Sequence, residues 1–169
     1  MSNHARIRDR EATEKLKEIV KHQGICMMIT NVDEHPTNSR PMGVGEVDDE
    51  GNFLFLTLRT SRKYADVTKD PRVYLYFANP GDQEFLSVLG TAEVLNDMAK
   101  KKDLWNPLAK AWVPDGVENP DLRVMKVVPQ DGYYWDTRDG KVVAAVKIAF
   151  ALITGKTSDD GGVEGRVKV

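Results

Sequence analysis

The chain has 169 residues, with 24 Lys and Arg against 26 Asp and Glu, a net charge of −2 at pH 7 and a pI of about 5.9. That length suits a single domain with its own core, and the near balance of charge excludes a nucleic acid or an anionic membrane as the main partner. A lone cysteine, Cys26, excludes an intrachain disulfide, no apolar run approaches the roughly 20 residues of a membrane span, and polar residues 1–10 do not read as a signal peptide, so a cytoplasmic protein is expected.

In chain order, residues 11–22 carry Ala12, Leu16, Ile19 and Val20 on one stripe with Lys and Glu elsewhere. This predicts an amphipathic helix with one face on a sheet, ended by Gly24. Residues 25–31, 39–47 and 53–58 read as three strands of an antiparallel meander, the third entered through the turn Asp48-Asp49-Glu50-Gly51. In that third strand Phe53, Phe55 and Thr57 alternate with Leu54, Leu56 and Leu58, so both sides are apolar and the strand should be interior. Ser61 is a good N-cap for a helix running to about Lys69, where Asp70-Pro71 stops it. Residues 73–78 give a fourth strand, and the Asn79-Pro80-Gly81-Asp82 turn leads to a fifth, residues 84–95, long enough to bend round a barrel at Gly90. Asp97 caps a helix to about Leu104, a Pro- and Gly-bearing segment covers 106–120, and 122–128 and 132–136 read as two further strands, with Trp135 in the core. A closing helix over 142–153, apolar nearly all round, should be buried. The class is therefore mainly β with flanking helices, one domain over residues 1–155 and a mobile tail over 156–169.

Chemistry concentrates where the third strand meets the helix after it. Thr57, Ser61, Arg62 and Lys63 place hydroxyls and cations beside a helix N-terminus, whose free amides and positive dipole end attract an anion. A dianionic phosphate monoester fits there, each charge-assisted bond contributing roughly 1.5–3 kcal/mol where partly shielded. The plainer alternative is a capped surface helix with solvated basic residues. Other groupings are absent: His4, His22 and His35 lack metal or nucleophile–base spacing, Cys26 sits in an apolar strand as an inert thiol, Gly43-Val44-Gly45 is too short for a dinucleotide fingerprint, and Asp97 and Asp103 are spaced for a solvated helix face.

The order Arg40-Pro41-Met42, Phe55-Leu56-Thr57, Ser61-Arg62-Lys63 and Asp70-Pro71-Arg72-Val73 resembles the FMN-binding split β-barrel of the pyridoxamine 5′-phosphate oxidase-like superfamily. The later motifs Val88-Leu89-Gly90-Thr91-Ala92-Glu93-Val94, Leu104-Trp105, Trp112-Val113-Pro114-Asp115-Gly116, Asn119-Pro120 and Tyr134-Trp135-Asp136 resemble its general stress protein 26 branch. The resemblance spans about residues 16–155. It implies that Thr57, Ser61 and Lys63 hold the phosphate of FMN, with Arg62 or Arg40 as a further cation, and that Arg40, Pro41 and Met42 lie against the ring. It further implies a homodimer with the flavin at the subunit interface, to which Trp112 of the second copy contributes.

The implied function is an FMN-binding general stress protein with flavin-dependent oxidoreductase activity on a small molecule. A non-catalytic flavin reservoir, redox sensor or interaction protein is the alternative, and FAD, haem or deazaflavin are alternative cofactors. Authentic pyridoxamine 5′-phosphate oxidation is not expected, because that enzyme's arginine-rich C-terminal segment closing in Arg-Leu-x-Pro has no match in Gly165-Arg166-Val167-Lys168-Val169.

Overall fold

The computed structural model describes residues 13, 14, 16–136, 151 and 164–167. The first helix, α1 (residues 16–23), buries Leu16, Ile19 and Val20, and fully burying each such side chain is worth roughly 1.5–3 kcal/mol. Gly24 ends it at φ +65°, its amide bonding Val20 O at 2.8 Å, a backbone conformation that glycine adopts without strain. The predicted helix over 142–153 lies outside the described residues, apart from helical Ala151.

The strands are β1 (Ile25–Thr30), β2 (Asn38–Gly43), β3 (Glu46–Val47), β4 (Phe53–Leu58), β5 (Arg72–Asn79), β6 (Glu84–Leu95), β7 (Leu122–Asp136) and β8 (Glu164–Val167). They form one antiparallel sheet in the order β2-β1-β5-β6-β7-β4-β3, with β8 also on β7. β2 and β3 stand at opposite ends of that order, yet only Val44 and Gly45 separate them in the chain. The Val44 amide bonds Gly24 O at 3.0 Å and the Gly45 amide bonds Leu54 O at 2.9 Å. The sheet therefore curls until its ends meet, which is a split β-barrel.

The expected meander is present but broken: the second strand, expected over 39–47, divides at Val44-Gly45 into β2, which pairs with β1, and β3, which pairs with β4. The other edge of β4 pairs with β7, in the register Thr57↔Arg123 and Phe55↔Met125. The two strands expected at 122–128 and 132–136 are one continuous β7, whose ladder with β6 slips between Leu89 and Gly90. That slip is the expected bend. A Cβ on Gly90 would lie 2.6 Å from Val127 Cγ1 and 2.8 Å from Val128 O, so no side chain fits. Within the segment expected as a tail, Glu164–Val167 instead form β8 on residues 132–135 of β7.

Both faces of β4 are covered, as its two-sided apolar pattern requires. Phe53 and Phe55 enter the main core with Met28, Leu75, Phe77, Met125 and Val127, whereas Leu54 packs with Leu104 and Val124 in a smaller core under α3 (Met98–Leu104). Trp135 corrects another expectation. Tyr134 is the buried member of that pair, and Trp135 is 39% exposed on the outer face.

Candidate functional site

Helix α2 (Arg62–Lys69) starts where predicted. Ser61, extended at φ −81° and ψ 150°, accepts from the Tyr64 amide at 3.4 Å, and the first turn contains no acidic residue. The Ser61 hydroxyl donates to Leu58 O at 2.7 Å and lies 3.3 Å from Thr57 Oγ1. Thr57 is buried, Ser61 and Lys63 are half-buried and Arg62 is exposed. The end of β4 and the start of α2 thus bring two hydroxyls, two cations and a helix N-terminus into one corner.

Across the corner, β2 supplies Arg40. Burial, more than the neighbouring Arg62 charge, holds its guanidinium below its ordinary pKa, while Asp66 opposes the shift. Burial first, then the Arg40 charge, likewise holds the Lys63 ammonium below the usual lysine value. Neither the Lys63 nor the Arg62 side chain has a hydrogen bond or ion pair among the described residues. A half-buried ammonium facing a second cation at the positive end of a helix is unfavourable by itself, and an anion between them removes the cost.

Arg40 is held by a polar cluster that strand and helix patterns did not reveal. Asp66, 7% exposed on α2, accepts from Thr30 Oγ1 at 2.6 Å, Asn31 Nδ2 at 3.1 Å, Asn38 Nδ2 at 3.2 Å and Arg40 Nη2 at 3.4 Å. Arg40 Nη1 also donates to Thr30 Oγ1 at 2.8 Å. The only trace of this cluster in the sequence is an acid three residues after Lys63, on the helix stripe that also carries buried Val67.

The remaining predicted residues are more dispersed. Met42 shares the Arg40 face of β2 but is buried in the main core, and Pro41, paired with Met27, is exposed. β2 is an end strand, where a proline's missing donor is tolerated. Trp112 is 81% exposed just after the 3₁₀ turn Pro107–Ala111, with Leu108 equally exposed. Arg59 turns away from the corner to Asp121, Nε to Oδ1 at 3.0 Å. Burial pushes the Cys26 thiol up to about 12, which leaves it a poor nucleophile. Among the described residues no three His, Cys, Asp or Glu side chains group as metal ligands, and no helix is long and apolar enough to cross a membrane.

A second surface feature lies on the outer face of β1, β5, β6 and β7. Ile25, Met27, Tyr76, Phe85 and Trp135 are exposed there, and Tyr74 stacks on Tyr76 at 6.0 Å. A cavity of ≈ 330 Å³ opens on the same sheet between Tyr74, Ser87, Leu89, Asp131, Gly132 and Tyr133. None of these residues belongs to the cationic corner.

Comparison with known proteins agrees with this fold. The sequence profile of the family described as pyridoxamine 5′-phosphate oxidase like matches residues 11–159. Protein bli-3 of Neurospora crassa is 29% identical over 127 residues, which are 70% of this chain and 61% of bli-3, so the chain spans under two thirds of that relative. The crystal structure of general stress protein 26 from Bacillus anthracis superposes with a TM-score of 0.64 at 26% identity, covering 72% of this chain and 92% of that one. The general stress FMN/FAD binding protein of Xanthomonas citri gives a TM-score of 0.62 at 24% identity, covering 75% of this chain and 89% of that one. The chain thus belongs to the pyridoxamine 5′-phosphate oxidase-like family, among its split barrels of general stress protein 26 type.

Proposed function

We propose that the chain is a homodimeric flavin-binding general stress protein that holds the phosphate of FMN in the corner formed by Thr57, Ser61, Arg62, Lys63 and Arg40. The observation that carries this reading is Lys63, a half-buried cation without a partner among the described residues, facing Arg40 at the N-terminus of α2. The donor set suits a phosphate: hydroxyls from Thr57 and Ser61, first-turn amides, and cations on two sides. A bound flavin supplies hydride and electron transfer, and the protein supplies position, electrostatics and access. FAD is the alternative cofactor. Its first phosphate would meet the same donors.

The exposed apolar face of β1, β5, β6 and β7 supports the dimer. A second copy covering it removes Met27, Tyr76, Phe85 and Trp135 from water. The 81% exposure of Trp112 supports the same reading, since a neighbouring copy could cover it. Flavin-dependent oxidoreduction of a small molecule is the first reading of activity. A flavin reservoir or redox sensor is the second.

Titration of the purified protein with FMN and riboflavin, followed by flavin fluorescence quenching, tests the corner. FMN should bind more tightly than riboflavin, and Lys63→Ala should weaken FMN by about 10- to 100-fold, the value of one charge-assisted bond. Ser61→Ala should weaken FMN as well. Equal binding of FMN and riboflavin, or no binding of either, overturns the reading. Sedimentation of the wild-type protein as a monomer would overturn the dimer.

A further inference from the structure

We propose that Asp66 is the positioning residue of the phosphate corner: it ties the helix that bears Lys63 to the strand that bears Arg40 and so fixes the gap an anion must fill. The proposal rests on the reading of that corner as a phosphate site. Asp66 and Lys63 lie three apart on α2 and so share a helix face. From that face the Asp66 carboxylate takes hydrogen bonds from three places in the β1–β2 hairpin: Thr30 at the end of β1, Asn31 in the connection, and Asn38 and Arg40 on β2. Beyond this cluster, among the described residues, the one side-chain bond between α2 and the hairpin is the exposed pair Lys69–Glu34. Val67 packs α2 into the main core, but the buried polar tie that sets the spacing between the two cationic sides is this one carboxylate.

Charge gives the tie a second effect. Without Asp66, half-buried Arg40 would face Lys63 and Arg62 with no negative charge in between, and repulsion would spread the corner. With Asp66, Arg40 is anchored along one edge by Thr30 and Asp66, while its Nε has no partner among the described residues. The three cations less the one carboxylate leave two uncompensated positive charges, which match a dianionic phosphate monoester. The hydrogen bonds of the Asp66 carboxylate go to hairpin donors. The carboxylate acts through Arg40 and through the position of α2, as supporting groups do in a preorganised site.

The test is FMN and riboflavin titration of the full chain as wild type, Asp66→Asn, Arg40→Ala and the double variant. The amide keeps the size of the side chain but loses the charge and presents N–H to donors already in place. Asp66→Asn should weaken FMN about tenfold and leave riboflavin unchanged, since only FMN carries the phosphate. In the Arg40→Ala background it should weaken FMN much less than in the wild type, because much of its effect passes through Arg40. Unchanged or tighter FMN binding, an equal loss of riboflavin, or full additivity with Arg40→Ala overturns the proposal. If Asp66→Asn does not fold, Thr30→Val removes the hydroxyl that joins Arg40 to Asp66 with little change in shape. It should weaken FMN selectively by a smaller factor, and a wild-type FMN affinity in that variant also overturns the proposal. A wild-type protein that does not distinguish FMN from riboflavin marks the different failure, that of the phosphate corner itself.

Discussion

At the C-terminal end of α2, Arg72 is gripped by Asp70 at 2.7 Å and by Asp33, and Lys69 by Glu34 at 2.5 Å. At the N-terminal end, Arg62 and Lys63 have no carboxylate partner among the described residues, although the helix dipole makes cations least welcome there. The residue types at the two ends are alike, but the C-terminal set neutralises itself at the exposed surface, whereas the N-terminal set, exposed Arg62 and half-buried Lys63, is incomplete. A count of basic residues would rate the ends equally. What separates them is whether each charge has a partner and how much water surrounds it.

Charge reversal breaks the contrast most strongly. Lys63→Glu should weaken FMN by at least about 100-fold, through loss of one charge-assisted bond and gain of a repulsion. It should also raise the melting temperature of the ligand-free protein, because a carboxylate suits both Arg40 and the helix N-terminus. Fluorescence titration and thermal denaturation of the same preparation check both signs, and a fall in ligand-free stability would show that the corner is already balanced.

Acidification separates the ends next. A phosphate monoester loses its second charge near pH 6, so FMN affinity should fall several-fold between pH 7 and pH 5. Hydrogen bonding from Arg72 holds the Asp70 carboxyl below its usual pKa. A lowered carboxylate pKa contributes stability that is present above the unfolded value and lost only as pH falls through the folded one, so the C-terminal end should be unaffected between pH 7 and pH 5. Titrations across that range, paired with melting curves of the ligand-free protein, read the two ends independently. The smallest effect belongs to Arg72→Ala, which should leave FMN affinity unchanged and lower the melting temperature slightly. A marked loss of FMN binding in that variant would erase the distinction between the ends.

The readable parts of this site were local in sequence. Ser61 as cap, Asp70 as stop, the Thr57–Ser61–Lys63 cluster and the bend at Gly90 each depend on residues a few positions apart. The unread parts depend on distance along the chain. Asp66 meets Thr30 and Asn38 across separations of 36 and 28 residues, and nothing near Asp66 announces them. β4 does pair with its neighbour in sequence, β3, as a meander requires, but its other edge meets β7, likewise a long-range pairing. Tyr133, Tyr134 and Trp135 are all large and aromatic, so alternation along β7 could not tell which faced the core until the register was known.

The join between β2 and β3 is also a limit on how the gene can vary. A Cβ on Gly45 would sit 2.9 Å from Leu104 Cδ2 and 3.2 Å from Leu54 O, so this link has neither spare width nor spare length. A single inserted codon between Val44 and Gly45 would put β3 out of phase, turning Val47 outward and Glu46 toward the core. The connections at residues 31–37 and 80–83 are exposed over most of their length, and it is there that length changes between relatives should accumulate.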